Sequence, residues 1–219
     1  MDRLFELQGD FWVAAVETLY MVGFTLLFGG LAGLVLGTTL YTTRAGGLLA
    51  NRVVNVALNV VINFFRPIPF IIFIAAVQPL SRLVVGTGIG NNAIVFALSL
   101  AASFAIARIV EQNLLTVSPG VIEAARSMGA SPMRILFTVV IPEALGPLVL
   151  GYTFVLVAIV DMTAVAGYIG GGGLGNFALV YGYRQFEPVI TWAAVLLIVV
   201  IVQGVQFLGN WLARRIMRR

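Results

Sequence analysis

The chain has 219 residues, of which 60% are hydrophobic and only 10% charged, and its mean hydropathy of +1.04 lies far above the soluble range. Soluble domains carry about 25% charged residues, so the composition reads as that of an integral membrane protein. Cys, His and Lys are all absent and the formal net charge of +4 rests on Arg alone, which excludes disulfides, thiolate nucleophiles, imidazole bases, the usual zinc sites and a G-x-x-x-x-G-K phosphate loop.

The pI near 10 comes from clusters near the chain ends and loops, with no basic stripe interleaved with aromatics. It therefore indicates orientation at a membrane surface, and no nucleic-acid partner is expected. The first residues carry Asp2, Arg3, Glu6 and Asp10, an acidic balance opposite to that of a signal peptide, so the N-terminus is expected outside. A first span follows over about 13–41, longer than the roughly twenty apolar residues needed to cross a bilayer. Gly29, Gly33 and Gly37 recur at four-residue spacing in it, a pattern that lets another helix approach closely; packing within one subunit is favoured over a dimer seam.

Arg44 and Arg52 bracket a short loop with no acid between them and assign it to the cytoplasm. The second span, about 53–77, contains Asn-Phe-Phe-Arg-Pro-Ile-Pro-Phe at 63–70, where Pro67 and Pro69 should break the helix. Arg66 sits just before that bend, and a guanidinium there costs about 2.5–3.5 kcal/mol unless it pairs or reaches water. Two readings stay open for it: a partner such as Glu143 or carbonyls freed by the prolines, or snorkelling to the interface. Residues 78–92 read as a Gly-rich external connection, with Gly86, Gly88 and Gly90 forming a turn. A third span covers about 93–107, with Arg108 and Glu111 at its wet inner end.

The stretch from Ser118 to Pro142 is a polar interruption between apolar runs. Ser118 and Pro119 predict a helix start, Gly129 a left-handed stop, and Ser131 with Pro132 an immediate second start. The short helix, about 119–129, places Val121, Ala124, Ala125 and Met128 on one small-residue face suited to a groove, with Glu123 and Arg126 spaced to pair. Glu123-Ala124-Ala125, Gly129, and then Val139, Ile141 and Pro142 resemble the EAA motif of ABC importer permeases; Val139 and Ile141 depart conservatively from its Ile-x-Leu-Pro ending. The resemblance implies that Glu123, Ala124, Ala125, Arg126 and Gly129 form a cytoplasmic coupling helix docked on an ATP-binding subunit. An interfacial amphipathic helix without a partner is the alternative.

A fourth span, about 143–169, carries Asp161 beside Met162. A carboxylate there must face a cavity, a partner helix or the surface, so Arg66, Asp161 and Met162 are the candidate pathway or gate residues. The competing reading has Asp161 bonded to Thr163 or a neighbour at a helix interface. Gly170 to Gly175, GGGGLG, formally fits the dinucleotide pattern, but no strand or βαβ unit surrounds it, so a tight external loop is expected instead. The fifth span, about 189–211, is bounded by Trp192 and Trp211, and Arg214, Arg215, Arg218 and Arg219 place the C-terminus in the cytoplasm.

The expected fold is thus an all-α integral membrane protein forming a single domain over 1–219. It has five transmembrane helices, an outer N-terminus, a cytoplasmic C-terminus and a coupling helix between spans three and four. Residues 63–70, the Gly run and Tyr181-Gly182-Tyr183 are further similar to the methionine-uptake permeases of the ABC importers. That resemblance implies a homodimer in a bacterial inner membrane, two ATP-binding subunits inside, a substrate-binding protein outside, and alternating access. It also implies that ATP and Mg are held by the partner ATPase, with no cofactor and no catalysis on this chain. Asp161 stands where these permeases are expected to have a small uncharged residue. The alternatives are a permease for a polar amino acid, a phosphonate or an osmolyte, or a channel or interaction protein without ATP coupling.

Overall fold

The computed structural model describes residues 2–217, so Arg218 and Arg219 of the C-terminal cluster lie outside the described residues. Among the described residues the regular structure is helical throughout: α1 (Asp2–Glu6), α2 (Gln8–Thr43), α3 (Arg52–Phe65), α4 (Phe70–Val85), α5 (Asn91–Leu114), α6 (Pro119–Ser127), α7 (Pro132–Ala166), α8 (Gly173–Phe177) and α9 (Pro188–Met217). Four helices, α2, α5, α7 and α9, are long and apolar enough to cross a membrane, and α3 with α4 add a fifth candidate broken by a 114° bend. The helices run past the apolar stretches read from sequence because their polar ends stay helical beyond the hydrocarbon. At 1.5 Å per residue, the 36 residues of α2 exceed the ~30 Å core by several turns.

Side-chain contacts define two ends of the bundle. At one, Arg3 pairs with Glu187 at 3.2 Å and Asn91 donates to Glu17 at 3.0 Å. At the other, Tyr41, Leu114, Val117, Ala125, Leu136, Val140 and Ala144 belong to one buried cluster. The α3–α4 pair connects the two, since Asn55 donates to Leu40 O at 3.0 Å near its start and α4 leads directly into Asn91. Asn51 starts α3 by accepting from the amides of Val53 and Val54. Arg66 N–H still donates to Ile62 O, but the rings of Pro67 and Pro69 cannot continue the ladder, and α4 restarts at Phe70 in a new direction. The extended connection expected over 78–92 is shorter than that: α4 continues to Val85, ends on left-handed Gly86, and leaves only a tight turn before Asn91.

The core runs along α5, which is backed by α2. The three glycines at four-residue spacing form this internal seam. A Cβ on Gly29 would lie 2.7 Å from Ser99 O, one on Gly33 2.5 Å from Ile106 Cβ, and one on Gly37 2.6 Å from Val110 Cβ. Close backbone approach thus replaces side-chain packing, as small residues permit between membrane helices. Outward-facing residues such as Leu31, Val35, Val200 and Phe207 are largely exposed, the pattern of helices whose solvent is hydrocarbon.

The Gly run is not the loop expected from its composition. Gly170 ends a 3-10 turn at φ +84°, and a second turn at Gly173, φ +88°, opens α8, which folds back against α2. The reason is tertiary: side chains of α2 and α5 accept the amides that a free glycine loop would leave to water.

Candidate coupling corner and pathway face

The corner between α5 and α7 is built from local signals. Pro119 occupies the first turn of α6, and Gly129 adopts φ +77° and ends it. Ser131 Oγ accepts from Arg134 N at 3.4 Å and opens α7. Ser118 does not cap with its side chain; its carbonyl instead accepts from Val121 N at 3.2 Å. The α6 helix then divides into two faces. Ile122 and Ala125 pack onto the chain's own core beside Leu114, Val117 and Ile135, while Val121, Glu123, Ala124, Arg126 and Met128 are exposed. The small-residue face expected over Val121, Ala124, Ala125 and Met128 is therefore split, with Ala125 turned inward because it has no bulk to hold the helix off the bundle. Met128 is 81% exposed and Met133 54%, leaving apolar side chains in the open at a polar corner. Glu123 and Arg126 are both exposed and do not pair with each other.

The second feature is an open face on α7. Glu143, Leu150, Phe154 and Asp161 are exposed and follow one another at intervals of about two turns, one turn and two turns along a single stripe. Asp161 lies within the membrane-spanning part and is exposed. Its suggested partner Thr163 is buried and donates instead to Val160 O at 2.7 Å, so the Asp161–Thr163 bond is not formed. Met162, one position on, is partly buried and packs against the core cluster that includes Met21, Ile94 and Ala166, off the open stripe. Arg66 is exposed at the α3–α4 bend. Neither Arg66 nor Glu143 enters the two ion pairs found among the described residues, Arg3–Glu187 and Arg108–Glu111, so the suggested Arg66–Glu143 pair is not formed.

A partly buried polar ladder beside the bend lies outside the sequence reading. Asn55, Asn59 and Asn63 follow at i, i+4 and i+8 on α3. Asn59 Nδ2 donates to Asn55 Oδ1 at 3.1 Å. Arg108 Nη2 donates to Asn59 Oδ1 at 2.6 Å and Asn63 Oδ1 at 2.8 Å, while Nη1 reaches Glu111 at 2.6 Å. Arg108 and Glu111 are therefore not a wet helix end but a largely buried clamp, with side chains 17% and 14% exposed. The four-residue spacing of the asparagines is the one sequence signal that points to it.

An all-helical bundle with a broken span, a short helix projecting at one end and charged groups on an open membrane face is the architecture of a transport permease. Residues 26–218 match the family described as the binding-protein-dependent transport system inner membrane component, and the chain belongs to that family. It is thus a multi-pass inner-membrane protein. It is 40% identical over 216 residues to the probable D-methionine transport system permease protein MetI of Vibrio cholerae, covering 98% of this chain and 96% of that one. It is 41% identical over 210 residues to the methionine import system permease protein MetP of Bacillus subtilis, covering 96% and 95%. A solved structure described as inward-facing conformations of the MetNI methionine ABC transporter contains a chain that superposes with a TM-score of 0.93 at 37% identity. The superposition covers 96% of this chain and 98% of that one.

Proposed function

We propose that this chain is the permease subunit of an ATP-driven importer for methionine, working as a homodimer by alternating access. The observation that carries the reading is the projecting corner: α6 is anchored to the permease core through Ile122 and Ala125, while Val121, Glu123, Ala124, Arg126 and Met128 stand exposed. A helix held rigidly on one side and unpartnered on the other transmits movement from a docked subunit. Gly129 lets the chain turn at once into α7, so displacement of α6 becomes displacement of the long helix that carries Asp161. The likeness to the methionine permeases and to the MetNI chain supports the substrate and the ATP-binding partners.

In this arrangement the end bearing α6 and Arg44, Arg52, Arg126, Arg134, Arg214 and Arg215 is cytoplasmic by the distribution of Arg. The N-terminus is outside, the α3–α4 pair counts as the second of five crossings, and a substrate-binding protein docks at the outer end. ATP and Mg belong to the ATP-binding subunits, and this chain contributes no catalytic group to hydrolysis. The open stripe of α7 with Asp161, and Arg66 at the bend, line the pathway between the two copies, because charges left on a lipid-facing surface would be costly.

The natural absence of Cys makes a direct test available. In the assembled transporter, Cys placed at Val121 or Met128 cross-links to an ATP-binding subunit, whereas Cys at the buried Ala125 does not. Cross-linking from Ala125 with none from the exposed pair would contradict the docking geometry.

A further inference from the structure

The first span carries a carboxylate, Glu17, that the transport reading above leaves without a role, and it sits where the Gly run folds back onto that span. Three successive amides at the start of α8 are each taken by a side chain from another helix. Gly172 N–H donates to Asn91 Oδ1 at 2.8 Å, Gly173 N–H to Glu17 Oε2 at 2.7 Å, and Leu174 N–H to Thr18 Oγ1 at 2.8 Å. The acceptors are themselves tied together, since Asn91 Nδ2 donates to Glu17 Oε1 at 3.0 Å and Thr18 Oγ1 donates to Ala14 O at 3.0 Å. The side-chain oxygens of Glu17, Thr18 and Asn91 thus all have partners, and those partners come from α2, α5 and the Gly run.

The glycines follow from this contact. A Cβ on Gly172 would run into the Glu17 carboxylate, and one on Gly173 would lie 2.8 Å from Thr18 Oγ1 in a backbone already at φ +88°. Leu174 and Phe177 are then driven into a pocket with Ala14, Ala15, Ile190 and Ala194, joining α2 to α9. On the other side Gly171 abuts Ile94 and Ala166, the last residue of α7, five residues beyond Asp161. The segment thus closes the end of the bundle where α2, α5, α7 and α9 meet.

We infer that Glu17 is a positioning residue for transport. With Asn91 and Thr18 it latches the Gly run and α8 across the outer end of the bundle and so sets the position of the terminal turns of α7, beside the pathway face. This inference rests on the importer reading for its functional consequence, while the latch itself rests on the hydrogen bonds alone. Latching by a carboxylate is chemically specific. Two donors converge on Glu17, one on each oxygen, and Asn91 must present its oxygen to Gly172 and its amide to Glu17. Glu17→Gln places an NH₂ against either Asn91 Nδ2 or Gly173 N–H, whichever way it turns. Asn91→Asp places one carboxylate against another. The double exchange, Glu17→Gln with Asn91→Asp, restores every pair: the introduced amide donates to the introduced carboxylate, that carboxylate accepts Gly172 N–H, and the amide's own oxygen accepts Gly173 N–H.

Two measurements on the full assembled transporter test this. Hydrogen–deuterium exchange over 171–175, read without substrate, is expected to quicken roughly 10- to 100-fold in each single variant, the range of a lost charge-assisted bond. It should return to within about threefold of the parent in the exchange pair. Uptake per assembled complex should fall by roughly tenfold or more in the singles and recover in the pair. Unchanged exchange in the singles, or an exchange pair that assembles yet fails to regain protection, overturns the latch. Singles that transport at the parental rate per assembled complex overturn the positioning role. Because exchange is read without substrate, a parental chain that fails to import methionine counts against the importer reading and leaves the latch to be judged on exchange.

Discussion

The Arg108–Glu111 clamp yields the sharpest stability prediction. Both side chains are largely buried, at 17% and 14% exposure, and Arg108 directs Nη2 to Asn59 and Asn63. Glu111→Ala leaves a guanidinium with only neutral acceptors, and breaking a buried pair from one side costs about 3–5 kcal/mol. For a chain of this size about 2–4 °C is lost per kcal/mol, so the melting temperature should fall by about 6–20 °C. Arg108→Leu should cost a similar amount, since it strands Glu111 and both asparagine oxygens. The double variant Arg108→Leu with Glu111→Ala removes both charges and should be more stable than the sum of the singles by about 2 kcal/mol or more. Thermal unfolding in detergent, followed by the fluorescence of Trp12, Trp192 and Trp211, reads all three. Additive losses, or a Glu111→Ala shift below about 2 °C, would refute the clamp.

Four further outcomes are expected. Gly33→Val and Gly37→Leu drive a side chain onto Ile106 and Val110 and should lower the amount of folded permease, with overpacking costs of about 1–3 kcal/mol or more. Gly23→Ala, with nothing within 4 Å of its Cβ, should be neutral or slightly stabilising in the same expression and melting assays. Gly129→Val places a branched residue at φ +77°, a strain of about 1–2 kcal/mol, and should lower uptake more than ATP hydrolysis while the spans still insert. Asp161→Asn removes the charge from the open α7 face and should reduce uptake by roughly tenfold, the loss of one charge-assisted contact; unchanged affinity, rate and expression would remove Asp161 from the pathway.

What can be read before the fold is known is what local chemistry decides. Pro119, Gly129 and Ser131 act on their own neighbours, so the α6 corner follows from composition and spacing. The apolar runs and the double-proline break are equally local, and so is the glycine spacing of α2, although its α5 partner needs tertiary structure to be seen. Glu17 and Thr18 meet the Gly run 156 positions away, and Arg108 meets Asn59 across 49. Neither segment names its partner; the four-residue spacing of Asn55, Asn59 and Asn63 marks one side of the clamp without pointing to Arg108. Glycine composition points to a loop at 170–175 because a run without side chains has no means of its own to satisfy its amides or to pack; the acceptors come from α2 and α5. Ala125 falls on the expected free face for a related reason: helical spacing groups Val121, Ala124, Ala125 and Met128, but only the core against which α6 lies decides which of them turns inward.

Coupled transport is the most direct test of the proposed importer. The purified chain, reconstituted in proteoliposomes with its candidate ATP-binding subunit and binding protein, is predicted to import labelled methionine in preference to other amino acids and only while ATP is hydrolysed. Solute or ion flux through the chain without any ATP-binding subunit, or ATP-driven uptake that ignores methionine, would contradict it.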